Sequence, residues 1–203
     1  MGYPTFFDEV QTIHFRDPLG GFLGAFDNGE LAISYLDCVK LAGHSCPTVA
    51  SAYLMTLYGL AVLYPEATPE RSKIKVEIKA SKEDGVTGVI AQVISYIVGA
   101  GDEGGFKGIG GTSFSRNKLL SFDISDIEGV VRLSRIDTSD TVMIGCDTKQ
   151  VPALPEMMPL MQKSMQGVAN DSERQKFKTL WQNRVKNMLL DKSLQDKIIT
   201  MTR

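Results

Sequence analysis

Two side chains that can bind a metal or attack a substrate stand two residues apart in the segment Ala-Gly-His-Ser-Cys-Pro at positions 42–47. Pro47 is suited to the first position of a helix, and the apolar run after it can form the helix body. Cys46 or Ser45 would then be the N-cap, where free N–H groups and the helix dipole favour a thiolate. His44 can bring an imidazole to the same place. The segment therefore predicts a nitrogen and sulfur pair at the start of a buried helix.

The donor types indicate the chemistry. Imidazole and thiolate suit zinc, nickel or iron, so we expect a divalent transition metal at His44 and Cys46, with zinc as the leading ion. The only other histidine, His14, is the third candidate ligand. Asp17 and Cys38 rank below it, because Asp17 is expected to cap a helix and a cysteine can be a small apolar filler.

The same residues allow two other interpretations. One is metal-free thiol catalysis, with Cys46 as the nucleophile and His44 as its base. The other is purely structural: a buried small thiol beside a histidine whose ring is satisfied by the backbone.

The motif at residues 43–47, followed by a long apolar helix, resembles the Gly-His-x-Cys-Pro signature of proteins similar to the E-type subunit of formylmethanofuran dehydrogenase. The resemblance implies an α+β core, a homodimer, and a cavity in which His44 and Cys46 are metal ligands. A metal there could polarise a small carbonyl or carboxyl substrate or activate water. The family's name alone suggests a further alternative, a non-catalytic accessory module of a molybdenum or tungsten enzyme.

The chain departs from this family at two positions. A second family motif, Thr-Gly-Cys-Thr-x-Gly-Lys-Gly-Asn-Leu, has a looser counterpart at residues 109–119, with Gly111 where a cysteine is expected. Ala42 stands where relatives often have a histidine. The site is therefore either completed by other ligands or changed in its chemistry. The CxxC pairs of the zinc finger that some relatives carry are absent from the sequence, so no such finger is expected.

Seven glycines lie between Gly99 and Gly111. The segment lacks the Gly-Lys-Ser/Thr of a P-loop, so it is either a connector or a place where backbone approaches a ligand closely. Lys107 and Arg116 flank it and could neutralise an anionic substrate, although such residues are more often solvated.

Composition narrows the class of protein. With 203 residues, 43% of them hydrophobic, and a formal net charge of −2, the sequence is typical of a globular protein without a nucleic-acid or membrane partner. The apolar run at 48–63 is short for a membrane span. Three cysteines without CxxC argue against a disulfide framework. Residues 1–5 lack the basic start of a secretion signal, so we expect a cytoplasmic protein.

Hydrophobic periodicity predicts an α+β fold, with a twisted antiparallel sheet packed with helices, and a helical C-terminal extension. We expect a core domain over 1–150 and the extension over 151–203, divided at a proline-rich segment. The predicted helices are 47–64, 87–98 and 172–190. For 87–98 a strand is the alternative, because its apolar residues are mostly β-branched. The clearest predicted strand is 73–80. An antiparallel meander is expected over 118–124, 129–136 and 141–146, and residues 192–203 should fray or add an edge strand.

Overall fold

The computed structural model describes residues 2–111 and 113–203, and it has the expected α+β fold. In this part of the chain the helices are α1 (Pro18–Phe22), α2 (Tyr35–Ala42), α3 (Pro47–Leu63), α4 (Thr87–Val98), α5 (Met157–Met165), α6 (Asp171–Leu190) and α7 (Lys192–Ile198). The strands are β1 (Ile13–Arg16), β2 (Glu30–Ile33), β3 (Ile74–Ile78), β4 (Leu120–Ser121), β5 (Val131–Arg135), β6 (Thr141–Cys146) and β7 (Ile199–Thr202). The predicted helices at 47–64, 87–98 and 172–190 and the strand at 73–80 are confirmed to within a few residues.

The main sheet has the strand order β4-β3-β5-β6-β7, and β1 pairs with β2 in a separate antiparallel ribbon. Within the main sheet β5 is antiparallel to both β3 and β6, and β6 is antiparallel to β7. The exception is β4, which runs parallel to β3. The sheet is therefore mixed: the predicted antiparallel pairing is observed from β3 to β7, and it is wrong only for the edge strand β4.

The short β4 has a local cause. Lys118 and Asp123, which bracket it, have φ values of 58° and 61°, in the left-handed region that breaks an extended strand. Beyond it, Ile124 donates its backbone N–H to Ile78 rather than continuing the ladder. The predicted first strand of the meander, 118–124, is thus reduced to two paired residues. It pairs with β3 and not with β5, so the predicted three-stranded meander is wrong, whereas the β5–β6 hairpin forms as expected.

Helix α3 is the centre of the core. Its residues are apolar on all sides, and its buried set includes Val49, Tyr53, Leu54 and Met55. A helix without a polar face must be covered all round. The sheet strands β5 and β6 cover one side, and α2, α4 and α6 cover the others.

The C-terminal residues close this enclosure. Val185, Met188 and Leu189 of α6 are buried in the same core as α3. After α7 the chain adds β7 to the free edge of β6, with Ile144 opposite Met201. Of the two outcomes expected for 192–203, the edge strand is observed at Ile199–Thr202, whereas Lys192–Ile198 forms α7, which was not expected. The 150/151 domain boundary stays a prediction, and the segment beyond it supplies one strand of the main sheet.

No helix within residues 2–111 and 113–203 combines the length and the apolar character needed to cross a lipid bilayer.

Gly59 is the point where α3 comes closest to the sheet. A Cβ atom there would lie 2.4 Å from Ile144 Cδ1 and 2.8 Å from Leu133 Cδ1, both fully buried. We predict that Gly59→Val lowers the free energy of unfolding by roughly 1–3 kcal/mol, because the packed core must shift. Chemical denaturation measures this.

The matched control is Gly88→Val, in the first turn of α4, where the nearest atom to an added Cβ is Lys82 O at 3.5 Å. It should change stability by less than about 1 kcal/mol. Equal effects at the two glycines would contradict the close packing of α3 on the sheet.

Candidate functional site

The chemistry-bearing motif forms a sharp connection between two helices. Gly43 ends α2 in the left-handed region, at φ 75°, which glycine adopts without strain. Cys46 has extended backbone angles (φ −150°, ψ 169°) and is the N-cap of α3, with Pro47 as the first helical residue. The helix start at Pro47 is confirmed, and of the two expected cap residues it is Cys46 that occupies the position.

His44 lies on the surface of this connection. Its Nδ1 is 2.9 Å from the carbonyl oxygen of Ala42, and the ring is exposed. If Nδ1 carries the proton and donates to that oxygen, the lone pair is on Nε2, the outward nitrogen. Metal-binding histidines commonly have their second nitrogen held in this way by a backbone carbonyl or carboxylate.

Cys46 is less accessible. Its residue is 8% exposed and packs with the hydrophobic core. It is a free thiol, and its sulfur accepts no hydrogen bond from the first turn of α3. The motif thus combines an exposed imidazole with a sulfur at the margin of the core.

Ser45, between His44 and Cys46, is hydrogen-bonded to the two helices α2 and α6. Its hydroxyl is 3.0 Å from the Tyr35 hydroxyl of α2. Its carbonyl oxygen accepts hydrogen bonds from Trp181 Nε1 at 2.9 Å and from Gln182 Nε2 at 3.4 Å, both on α6. These contacts fix the backbone that carries the imidazole and the thiol.

No sequence motif marks most of these supporting contacts. Tyr35 is ten residues from Ser45, and Trp181 is one residue of the predicted helix 172–190. An aromatic residue with a polar atom in a helical apolar stripe was the one available signal, since buried Trp N–H groups usually find a partner.

The other candidate ligands are less suited to join His44 and Cys46. His14 lies on a different element, Cys38 is a protonated buried thiol, and Asp17 caps a helix. His14 is exposed on β1 opposite Ala32, beside a surface hollow of 390 Å³ that is also lined by Glu30 and Thr68. Burial raises the pKa of the Cys38 thiol to about 12, so it is protonated at neutral pH. Asp17 caps α1 as predicted, accepting from the Gly20 N–H at 3.0 Å.

Over residues 2–111 and 113–203, no three or more His, Cys, Asp or Glu side chains are grouped so as to hold an ion. His14, His44 and Cys46 therefore do not converge within one copy of the described chain. An imidazole and a thiol at His44 and Cys46 still fit a transition metal by donor type, as two ligands of an incomplete set.

A shallow apolar hollow of 340 Å³ adjoins the motif through Trp181. Pro4, Phe177 and Gln182 also line it, whereas His44 and Cys46 do not. The cavity that the family resemblance implies around the signature pair stays a prediction.

The glycine-rich segment is bound to the chain that follows it. Gly101 donates its N–H to Arg116 O at 2.6 Å, and Leu119 donates back to Gly101 O at 2.8 Å. A Cβ on Gly101 or Gly105 would lie within 2.9 Å and 2.8 Å, respectively, of Arg116 O. Here the glycines permit two protein segments to approach closely, and they set the position of Arg116. Thr112, in the second family motif, lies outside the described residues.

The Tyr35–Ser45 contact gives a test of how firmly the motif is held. Tyr35→Phe and Ser45→Ala each leave one buried hydroxyl without its partner, so each should lower the free energy of unfolding by about 1–2 kcal/mol. In the double variant both hydroxyls are gone, and the loss should be smaller than the sum of the two single losses. Urea denaturation of the four proteins gives the coupling energy. Strict additivity would mean that the two hydroxyls do not interact.

Comparison of the chain with protein-family models and with curated proteins finds no match. The likeness to the E-type subunit of formylmethanofuran dehydrogenase therefore rests on the residues of the motif, and the functional role of the motif depends on the contacts of His44 and Cys46.

Proposed function

We propose that the chain is a metal-binding protein of the family that resembles the E-type subunit of formylmethanofuran dehydrogenase, in which His44 Nε2 and Cys46 Sγ bind a divalent transition ion. The observation that carries the proposal is the 2.9 Å contact between His44 Nδ1 and Ala42 O. It orients the ring and leaves Nε2 as the free donor, two residues from a thiol at a rigid helix start. Zinc is the preferred ion, with nickel and iron as the alternatives that the same donors accept.

The remaining ligands must come from outside this pair. A structural zinc site has four protein ligands, whereas a catalytic one leaves a position for water or substrate. A homodimer would bring a second set of side chains to the exposed ring of His44. The apolar hollow at Phe177 and Trp181, next to the motif, is a surface on which such a copy could pack. His14 of that second copy is the proposed third ligand.

An ion held by His44 and Cys46 would supply Lewis acidity toward a small carbonyl or carboxyl compound, or would lower the pKa of a bound water. The contacts of Ser45 to Tyr35 and Trp181 hold the backbone between the two proposed ligands in one conformation. The burial of Cys46 limits the access of water to its sulfur.

Metal content of purified protein tests the proposal directly. Protein made without a metal-affinity step should contain zinc, nickel or iron, or should take up one ion per site after reconstitution, as measured by elemental analysis. Cys46→Ser keeps a good N-cap and should fold, and His44→Ala changes an exposed residue. Each should lower metal affinity by at least about tenfold, a loss typical of disturbing a metal site.

Control variants distinguish loss of a metal ligand from general effects of substitution on the protein. Cys146→Ser is the control for the loss of a thiol, because Cys146 lies on β6 and burial raises its pKa to about 12. It should leave metal binding unchanged. His14→Ala tests the third ligand: reduced affinity supports its participation, and unchanged affinity removes it from the ligand set.

Two results together would overturn metal binding in favour of thiol chemistry. The protein would stay metal-free after reconstitution with zinc and nickel, and Cys46 would be alkylated rapidly at neutral pH in the wild type but not in His44→Ala. Metal-free protein with an unreactive Cys46 would leave only the structural interpretation of the motif.

A further inference from the structure

A cleft of 420 Å³ opens on the part of the molecule formed by the turn before β3 and the segment after the glycine-rich loop. Its polar lining includes Arg71, Lys73, Ser113, Ser115 and Asn117. The turn is anchored at the end of β1, since Arg71 donates its backbone N–H to Arg16 O at 2.9 Å. The cleft therefore has a well-supported wall that carries two positive charges.

A buried ion cluster lies beneath this wall. Asp17 is 1% exposed, and its carboxylate accepts from Arg116 Nη2 at 2.6 Å and 2.8 Å and from Arg71 Nη1 at 3.1 Å. Burial acts to raise the pKa of Asp17, but the Gly20 N–H and the two guanidinium groups outweigh it, so the pKa lies below its usual range. One ionised carboxylate thus faces two arginines, and one of the two cations is not compensated within the cluster.

The two arginines also have donors left over. Arg71 Nη2 donates to Tyr96 O at 2.6 Å, and the side chain lies against Gly99, where a Cβ would be 3.2 Å from Nε. Within the described chain the Nε atoms of Arg71 and Arg116 are buried without a hydrogen-bond partner. The cluster therefore holds both guanidinium groups in place, and Arg71, which also lines the cleft, brings its positive charge to the cleft wall.

The cleft and the ion cluster beneath it together carry a net positive charge. Lys73 is exposed at the cleft, and Glu70 also lines it. Arg71, Arg116 and Lys73 give three positive charges, and Asp17 and Glu70 give two negative ones. The net charge of +1 contrasts with the chain's overall −2 and favours an anion.

Two residues of the cleft lining have left-handed backbone angles. Ser72 and Phe114, both in the cleft lining, have φ values of 64° and 61°, and neighbouring Lys118 has 58°. A positive φ is unfavourable for residues other than glycine, above all for a bulky one such as Phe114. Strain of this kind is typical of binding and catalytic sites, where the surroundings enforce it.

The cleft is not uniformly polar. Phe114, Leu119 and Ile136 provide an apolar side. The ring of Phe114 also stacks on Phe22, with centroids 5.2 Å apart, which fixes its position. On the polar side Ser115 donates to Asn117 Oδ1 at 2.6 Å, which leaves the Asn117 amide nitrogen as a donor.

We propose that this cleft binds a small organic oxyanion, a carboxylate or a phosphate monoester with an apolar group attached. Arg71 and Lys73 attract the charged end, the Asn117 amide donates to it, and Phe114, Leu119 and Ile136 contact the apolar part. The site requires no metal and shares no residue with the His44/Cys46 motif, so either proposal can fail without the other.

Calorimetric titration with three probes that share a phenyl ring tests it: phenyl phosphate, benzoate and the neutral benzyl alcohol. One or both oxyanions should bind with one-to-one saturation, and benzyl alcohol should bind at least about tenfold more weakly, because it lacks the charge. The tighter of the two oxyanions identifies the headgroup. Inorganic phosphate should bind more weakly than phenyl phosphate, since it makes no apolar contact.

Variants locate the binding. Lys73→Glu reverses an exposed charge at the cleft and should weaken oxyanion binding about tenfold. Lys79→Glu, at the other end of β3 and outside the cleft lining, is the matched control and should have little effect. Arg71→Lys keeps the positive charge beside Asp17 but loses the planar fork, and it should weaken binding by about tenfold as well.

Three results would overturn the proposal: no saturable binding of either oxyanion, binding of benzyl alcohol as tight as that of benzoate, or equal losses in Lys73→Glu and Lys79→Glu. If Arg71→Lys fails to fold, the exposed pair at Lys73 and Lys79 decides the question alone.

Discussion

The structure depends on enclosing a helix that has no polar face. Helix α3 buries residues around its whole circumference. Ser51 and Thr56 donate to carbonyl oxygens of the same helix. The hydroxyls of Tyr53 and Tyr58 donate to distant groups, to Gln11 O at 2.7 Å and to Gln195 Oε1 at 2.8 Å. Since each face must be covered, the sheet, α2, α4 and α6 are all drawn to one axis, and the C-terminal segment is needed for the last face.

The same constraint places the candidate metal ligands. Helix α3 enters the core at its first residue, Pro47, so its N-cap residue lies at the boundary between the packed interior and the solvent. Cys46 occupies that position and is nearly buried, whereas His44, two residues earlier, is exposed. The connection cannot move freely, because Ser45 is bonded to α2 and α6 at once. A donor pair held this way loses little conformational entropy on binding an ion.

Local signals in the sequence predicted the elements well. Pro47 with its apolar run indicated α3, alternating charged and apolar residues indicated β3, and Asp17-Pro18 indicated the cap of α1. What the sequence did not predict depends on distant partners: the parallel pairing of β4 with β3, and the bonds from Trp181 and Tyr35 to Ser45. The cluster of Asp17, Arg71 and Arg116 joins residues 54 and 99 positions apart, a spacing that carries no periodic signal. Arg116 was singled out as a candidate anion-binding residue because it flanks the glycines, but Arg71 was not.

The central claim is that one ion contacts both His44 and Cys46. X-ray absorption at the edge of the bound metal tests it most directly, because it distinguishes sulfur from nitrogen ligands by distance. For zinc we expect at least one sulfur at about 2.3 Å and one imidazole nitrogen at about 2.0–2.1 Å, with the sulfur lost in Cys46→Ser. A spectrum with only oxygen and nitrogen ligands, or one that Cys46→Ser leaves unchanged, would contradict it.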